Sequence, residues 1–198
     1  MRYVDSWNKE SAQKMVDKAA KEAGAILDEN GEGVDSISEG ECTVILDKTT
    51  FYGEGGGQVG DKGTITADGL TLYVNDTQKS DGVYIHLANV VEGTVKVGDT
   101  VTANVETFRR EAIMRNHSAA HLLQNALRSV LGTHVEQAGS YVSDTVCRFD
   151  FTHFAALTAE EIAEARAAVE PEFIRILEEA AENIRLFQVS VNDHPAFL

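Results

Sequence analysis

The sequence is poor in the residues that mark membrane, disulfide-rich and proline-rich proteins. Its 198 residues include only 2 prolines, 2 cysteines and 1 tryptophan. No window approaches the roughly 20 apolar residues that a membrane-spanning helix needs. The N-terminus lacks the charged and then apolar pattern of a signal peptide. Cys42 and Cys147 stand in no metal or redox spacing, so we expect both thiols to be reduced and buried. We therefore expect a cytoplasmic protein with no membrane contact.

Basic residues are also scarce, with 17 Lys and Arg against 32 Asp and Glu and a formal net charge of −15. This balance argues against a broad basic face for nucleic acid, because such binding depends mainly on neutralising phosphates. Any nucleic-acid contact must be local. The one basic cluster lies in a single predicted helix and contains Arg109, Arg110, Arg115 and Arg128. These arginines either contact a ligand or pair with nearby carboxylates in solvent.

The hydrophobic pattern changes twice along the chain. Apolar residues at helical spacing over residues 6–29 predict a helix, and a glycine-rich linker follows to residue 40. Residues 41–105 alternate with a period of two, and Asp-Gly and Glu-Gly dipeptides mark turns between the alternating runs. The helical period returns after residue 105, interrupted by the strand-like run CRFDFTHF.

These patterns predict an α+β fold in three parts. Residues 1–40 form an N-terminal helix and linker, and residues 41–105 form a small antiparallel β-barrel-like domain. Residues 106–198 form a two-layer α/β domain that contains a His-x-x-x-His helix. Thr158 and Glu161 match a capping box at the start of the last helical segment. Pro171 is expected to divide that segment into two helices, because an interior proline loses a hydrogen bond and clashes with the preceding turn.

The stretch FYGEGGGQVGD, from Phe51 to Asp61, contains the pattern G-x-G-x-x-G. A dinucleotide loop needs a helix directly after the glycines, but a hairpin pattern follows here, and no Gly-Lys-Ser/Thr occurs. We therefore do not expect this loop to bind a nucleotide. Two interpretations stay open: a tight bulge between strands, or a loop whose backbone approaches a substrate while Gln58 binds a small polar group.

The helix pattern RNHSAAHLL places His117 and His121 four residues apart. At 100° per residue the two side chains lie about 40° apart on one face, so both imidazoles can converge on one zinc ion. The same spacing also arises by chance. Ser118 stands where H-E-x-x-H proteases have their glutamate, so the pattern is not that protease signature. Further ligands are needed, and His134 and His153 are candidates by residue type. Each of them, like His86, also fits a surface or core-edge histidine, and Cys147 fits a buried thiol.

Several ordered motifs carry a resemblance to a known family. They are TTFYGEGGGQVGD, VNDTQKSDGVYIH, KVGDTV, RRxxIxRNHSAAHLL, VLGTHVEQAGSYV and RFDFTHFAALTAEE. Together they resemble the editing domain of alanyl-tRNA synthetase, the freestanding AlaX-type deacylases and, more distantly, the editing domain of threonyl-tRNA synthetase. The resemblance runs from about residue 34 to about residue 168.

The resemblance implies hydrolysis of the ester of mischarged tRNA, typically Ser- or Gly-tRNA(Ala), with the tRNA acceptor end as the partner. It implies a zinc ion on His117 and His121, with Gln58 and Thr49 as catalytic residues that recognise the substrate hydroxyl and the ester. Contact with the substrate is assigned to Gly55, Gly56, Gly57 and Arg115. A parent synthetase would supply further domains and bind ATP.

One departure from the family pattern concerns the metal. The second ligand pair of the family lies in a C-G-G-T-H segment that this chain lacks, so two of four expected ligands are present. His194 is a weak substitute because it lies near the terminus. We expect a chain truncated at its C-terminus. Three interpretations follow: an editing hydrolase or a fragment of one, a non-catalytic module that binds the tRNA acceptor end, and a structural or regulatory domain.

Overall fold

A computed structural model describes residues 24–179, with side chains up to residue 171. The chain falls into two compact units. The first contains residues 24–55 and 60–106, and the second contains residues 56–59 and the chain from residue 107. The described residues form both strands and helices, which confirms the predicted α+β class. Among the described residues, no helix is both long and apolar enough to span a membrane.

The first unit is built on an antiparallel sheet of seven strands. The described residues of this unit form nine strands, seven in the large sheet and two in a separate pair. They are β1 (Ala25–Leu27), β2 (Gly33–Val34), β3 (Ser36–Ile37), β4 (Glu41–Ile45), β5 (Gly63–Ala67), β6 (Leu70–Ser80), β7 (Val83–Glu92), β8 (Val95–Lys96) and β9 (Thr102–Val105). The large sheet has the order β2-β1-β4-β7-β6-β5-β9, while β3 pairs with β8. We expected barrel-like closure, but no pairing joins β2 to β9 within the described residues.

Alternation of apolar and polar residues explains these strands. Ile65 of β5 and Leu72 and Val74 of β6 are fully buried in the core of the unit. Their immediate neighbours along each strand are more exposed. The predicted turn between β6 and β7 is confirmed at Asp81 and Gly82, whose φ angles are 48° and 83°. Such a two-residue turn needs positive φ at both positions, and its twist suits a hairpin.

The sequence prediction was wrong at the N-terminal side of this unit. The helix predicted for residues 6–29 does not extend to its expected end, because β1 occupies Ala25–Leu27 and pairs with both β2 and β4. Ile26 and Leu27 are buried there, so tertiary pairing overrides a local pattern that also fitted a helix. The linker predicted to follow contains β2 and β3. The rest of the predicted helix lies outside the described residues.

The second unit contains two helices and a two-stranded sheet. They are α1 (Thr107–Leu131), β10 (Gln137–Val142), β11 (Cys147–Phe151) and α2 (Ala159–Glu179). Gly132 ends α1 as predicted, with φ at 113° and its N–H donating to the Arg128 carbonyl at 3.1 Å. Leu123 and Leu127 of α1 share a buried cluster with Phe149 of β11 and Val169 of α2.

Pro171 does not divide the last segment, contrary to prediction. It lies inside α2, which is a single helix. Proline has a φ near that of a helix, so its main cost is one lost backbone hydrogen bond. Ala165 and Val169 are buried against the other helix shortly before it, and this packing supports the helix on the N-terminal side of the proline.

The predicted capping box of α2 is confirmed. The Thr158 N–H donates to Glu161 Oε2 at 2.8 Å, and the Glu161 N–H donates to Thr158 Oγ1 at 3.2 Å. The two bonds satisfy backbone donors that the first turn of a helix leaves unpaired. The Thr158 hydroxyl also donates to Glu161 Oε2 at 3.1 Å, and the two donors of Thr158, its N–H and its hydroxyl, lower the pKa of the Glu161 carboxyl because they favour the charged form.

We predict that Thr158→Ala lowers the free energy of unfolding by about 1 kcal/mol, because it removes the capping hydroxyl. The measurement is the urea midpoint of the protein. Thr158→Ser keeps the hydroxyl and should stay within about 0.5 kcal/mol of the wild type. Equal losses in the two variants would show that the hydroxyl is not what stabilises the helix.

Candidate functional site

The glycine-rich loop belongs to the second unit at its tip, Gly56–Val59. Gln58 forms an isolated parallel bridge with Val142, the last residue of β10. The Val142 N–H donates to the Gly57 carbonyl at 2.7 Å, and the Val59 N–H donates to the Val142 carbonyl at 3.0 Å. The loop tip is therefore held on β10 by the same bonds that pair strands, so the position of Gln58 is fixed.

Gly57 is the residue that permits this docking. A Cβ at this position would lie 2.5 Å from the Ser140 carbonyl oxygen, and its φ of 82° is one that L side chains rarely adopt. Gly56 also has a positive φ, 59°, but a Cβ there would meet nothing within 4 Å. Close approach of two backbones thus explains Gly57. The loop tip pairs with β10 as a strand would, and binding of a substrate group by Gln58 stays a prediction.

Gln58 and His117 are in direct contact within the second unit. His117 Nδ1 lies 2.7 Å from Gln58 Oε1. An amide oxygen can only accept, so Nδ1 carries the proton and donates. The neutral ring then has its lone pair on Nε2. This tautomer is the one that a histidine needs in order to bind a metal through Nε2 while a second residue holds the ring.

His117 and His121 lie side by side on α1, with ring centroids 5.1 Å apart and ring planes at 39°. Two imidazoles that bind one tetrahedral zinc at about 2.0–2.1 Å have ring centres roughly 5 Å apart. The spacing of the two rings and the tautomer of His117 therefore fit two of the four ligands of a tetrahedral zinc site. Among residues 24–171, whose side chains the structure describes, no set of three or more His, Cys, Asp or Glu side chains is placed to bind one metal ion.

Three hydrogen-bond donor groups of the loop tip have no acceptor among the described residues. They are the side-chain amide Nε2 of Gln58 and the backbone N–H groups of Gly56 and Gly57. Gly56 is exposed, and Gly57 and Gln58 are half-buried. Unpaired donors at an accessible loop are suited to bind a carbonyl oxygen that gains negative charge during a reaction.

Cys147 is not a metal ligand in this arrangement. It is fully buried in a small cluster with Ile113, Ala120 and Val142. Burial raises the pKa of the Cys147 thiol to about 11, and that of Cys42 to about 11 as well. A metal binds the thiolate, which such a site disfavours. Both cysteines are unpaired and buried, as predicted.

The other histidines of the second unit form a pair of their own. His134 Nε2 lies 2.9 Å from His153 Nδ1, and Phe154 stacks on the His134 ring at 4.3 Å. These contacts occupy the ring nitrogens that face each other. His194, the remaining candidate from the sequence, lies outside the described residues.

Thr49 belongs to the first unit, where its hydroxyl contacts a histidine. Thr49 Oγ1 lies 2.8 Å from Nε2 of His86, a fully buried residue of β7. Gly55 is in the same unit, and its carbonyl accepts a hydrogen bond from the Tyr52 hydroxyl at 3.0 Å. The contact between Thr49 and His86 was not predicted, although a lone histidine in an apolar strand was a signal for it.

Arg115 lies on α1 about 200° around the helix from His117, by the rotation of 100° per residue. It is half-buried, and its contact with a substrate stays a prediction. Arg109 pairs with Asp144 at 3.6 Å, as expected for an arginine that pairs with a carboxylate. Asn116, next to His117, was missed in the sequence: its amide donates to the Ser143 carbonyl at 2.8 Å and joins α1 to the turn after β10.

Comparison with known proteins decides the family. The family model described as tRNA synthetases class II (A) matches residues 3–109, more than half of the chain. The chain belongs to this family. It is similar to an alanine–tRNA ligase of Acetivibrio thermocellus, 51% identical over 154 residues that make up 77% of this chain and 17% of that ligase. An alanine–tRNA ligase of Alkaliphilus oremlandii is 46% identical over 154 residues, with the same two shares of 77% and 17%.

The chain thus spans about a sixth of the length of these two relatives. Within this class II (A) synthetase chain, the family match includes Thr49 and the glycine-rich loop with Gln58. It ends before His117 and His121. The contact between Gln58 and His117 therefore joins a residue inside the matched region to one beyond it.

We predict that Gly57→Ala lowers the free energy of unfolding by about 2–4 kcal/mol, from overpacking against Ser140 and from the positive φ. Gly56→Ala is the matched control, since its φ is also positive but its Cβ has free space, and it should cost about 1 kcal/mol. Urea unfolding of both variants is the measurement. Equal costs would mean that the loop is not held closely against β10.

Proposed function

We propose that the chain is an editing hydrolase of the alanyl-tRNA synthetase type, which cleaves the ester of mischarged tRNA, most readily Ser- or Gly-tRNA(Ala). The main support is the 2.7 Å contact between Gln58 and His117, because it joins two separate motifs of the editing-domain pattern in one place. Similarity to alanine–tRNA ligases supports the choice of tRNA(Ala). The tRNA acceptor end is the proposed partner, and the cytoplasm is the proposed location.

The reaction breaks the bond between the carbonyl carbon of the amino acid and a ribose oxygen of the terminal adenosine. Water supplies the hydroxyl group of the released amino acid, and a proton goes to the ribose oxygen. The Gln58 amide and the N–H groups of Gly56 and Gly57 are proposed to donate to the carbonyl oxygen as its charge grows. These donors are fixed in advance because the loop tip is bound to β10.

His117 and His121 are proposed to hold a zinc ion, which would supply Lewis-acid polarisation or a bound water of lowered pKa. The chemistry of the donors fits this role: the proton of His117 is on Nδ1, so Nε2 is available. Gln58 is proposed to have a second function, since its amide oxygen orients the ring of His117 as a metal ligand. The other coordination positions have to be filled by water, by substrate or by residues other than those described.

Double-sieve selection explains why such a hydrolase is needed. A site that accepts alanine cannot exclude glycine by size, and it discriminates weakly against a side chain that adds one hydroxyl. A second site that hydrolyses the wrong product supplies the missing selectivity. Thr49 and Arg115 are proposed substrate contacts on the resemblance alone.

The second candidate is a non-catalytic module that binds the tRNA acceptor end. The observation that favours it is the incomplete ligand set, since no third ligand side chain joins His117 and His121 within residues 24–171. Unpaired backbone donors at the glycine-rich loop would serve binding as well as catalysis. If neither hydrolysis nor binding is found, the third interpretation, a structural or regulatory domain, is favoured.

We predict that Gln58→Ala slows deacylation of Ser-tRNA(Ala) by about 100-fold, because it removes one donor to the carbonyl oxygen and the support of His117. Release of labelled serine is the measurement. Ser118→Ala is the matched control on α1, since the exposed Ser118 hydroxyl donates only to the Met114 carbonyl. If Ser-tRNA(Ala) lost its serine no faster with the wild-type protein than in buffer, and the protein bound an acceptor-stem RNA tightly, the non-catalytic binding module would be favoured.

We also predict that His117→Ala and His121→Ala abolish most zinc binding and that Gln58→Ala weakens it by about 10–100-fold. Zinc titration against a chromophoric chelator measures these affinities. His134→Ala is the control, because His134 pairs with His153 and not with this site. Loss of zinc in His134→Ala with full binding in His121→Ala would place the metal elsewhere.

A further inference from the structure

We propose that His86 is a positioning residue that fixes the Thr49 hydroxyl as a hydrogen-bond acceptor for a donor group of the aminoacyl ester. The donor is the ammonium group of the amino acid or the hydroxyl of a serine side chain. This inference rests on the proposed function for the substrate. The state of the Thr49–His86 pair itself depends only on the first unit.

The tautomer of His86 follows from its partners. His86 Nδ1 lies 2.9 Å from the Val44 carbonyl oxygen, and residues 44 and 86 are register partners on β4 and β7. A carbonyl oxygen only accepts, so Nδ1 carries the proton. Nε2 of the neutral ring is then an acceptor, and the group 2.8 Å away is the Thr49 hydroxyl. Thr49 therefore donates its proton to His86.

The surroundings keep His86 neutral and in place. Its side chain is fully buried, and the Phe51 ring meets it edge-on with centroids 5.2 Å apart. Burial lowers the pKa of His86, and the hydrogen bond to Val44 offsets only part of this effect. A neutral ring at pH 7 leaves Nε2 as an acceptor, so the direction of the bond from Thr49 is fixed.

The Thr49 oxygen then has a single role left. A hydroxyl has one donor and two acceptor lone pairs. The donor goes to His86, and the Phe51 N–H, 3.1 Å away, occupies one lone pair. One lone pair remains on a half-buried side chain. Thr49 can therefore accept from an ammonium or hydroxyl group, but it cannot donate to a carbonyl or phosphate oxygen.

A buried histidine with two satisfied nitrogens also fits a purely structural role. The two roles differ in their dependence on Thr49. If His86 acts through the hydroxyl, its replacement matters for the substrate only while that hydroxyl is present. If His86 only stabilises the fold, its replacement has the same effect with or without the hydroxyl.

The first experiment does not involve catalysis. Long-range ¹H–¹⁵N NMR spectra of the protein at pH 7 should show His86 protonated at Nδ1 and unprotonated at Nε2. Thr49→Val, which removes the hydroxyl while keeping the shape, should shift the Nε2 signal downfield as its hydrogen bond is lost. Protonation at Nε2 in the wild type would overturn the inference, whatever the outcome of deacylation assays.

The second experiment compares two replacements of His86 in the deacylation of Ser-tRNA(Ala). Glutamine is long enough to accept from Thr49, and asparagine reaches only toward Val44. We expect His86→Asn and Thr49→Val each to lower kcat/KM by about five- to tenfold, the size of one hydrogen bond. His86→Gln should recover most of the loss. His86→Asn should add nothing in the Thr49→Val background.

The outcomes separate the two proposals. Multiplied losses in the double variant would overturn the positioning role of His86. Wild-type protein without deacylase activity would contradict the proposed function, while the NMR result would still decide the tautomer of His86 and the direction of the Thr49 bond. Urea midpoints of all variants test whether a loss of activity arises from unfolding. We expect Thr49→Val to lower the midpoint least, because it keeps the shape of the side chain.

Discussion

The hydrogen bond from His117 Nδ1 to Gln58 Oε1 is the interaction on which the candidate site depends. It fixes which nitrogen of His117 is available to a metal, and it uses the amide oxygen of Gln58, so that the amide N–H groups are left for other partners. The bond requires the glycine-rich loop to lie on β10, which in turn requires a residue without Cβ at position 57. One backbone contact thus sets the chemistry of two side chains.

The same rule applies at His86, in a different environment. Both histidines donate from Nδ1 to an oxygen that can only accept, the amide oxygen of Gln58 in one case and the Val44 carbonyl in the other. Nε2 is left as an acceptor in both. His117 is half-buried on a helix and can offer Nε2 to a metal, whereas His86 is fully buried and offers Nε2 to the Thr49 hydroxyl. Exposure therefore separates two roles that the residue type alone does not.

Local chemistry made much of the fold predictable. The turn at Asp81 and Gly82, the end of α1 at Gly132 and the capping box of Thr158 each depend on a few neighbouring residues, and all three are confirmed. The strand Ala25–Leu27 and the continuous helix through Pro171 were mispredicted, because long-range packing decides both. At the site, the spacing of His117 and His121 was readable, but the bridge of Gln58 to Val142 was not, since it joins residues 84 apart in sequence. The division into domains and the roles of the site residues stay predictions.

The chain belongs to the class II (A) tRNA synthetases, and the proposed chemistry depends on the tautomer of one imidazole, that of His117. A crystal structure of the zinc-loaded protein tests it most directly. We expect zinc bound to Nε2 of His117 and to His121, with Gln58 Oε1 still within hydrogen-bonding distance of His117 Nδ1. Zinc bound through Nδ1 of His117, or a Gln58 side chain turned away from the ring, would contradict it.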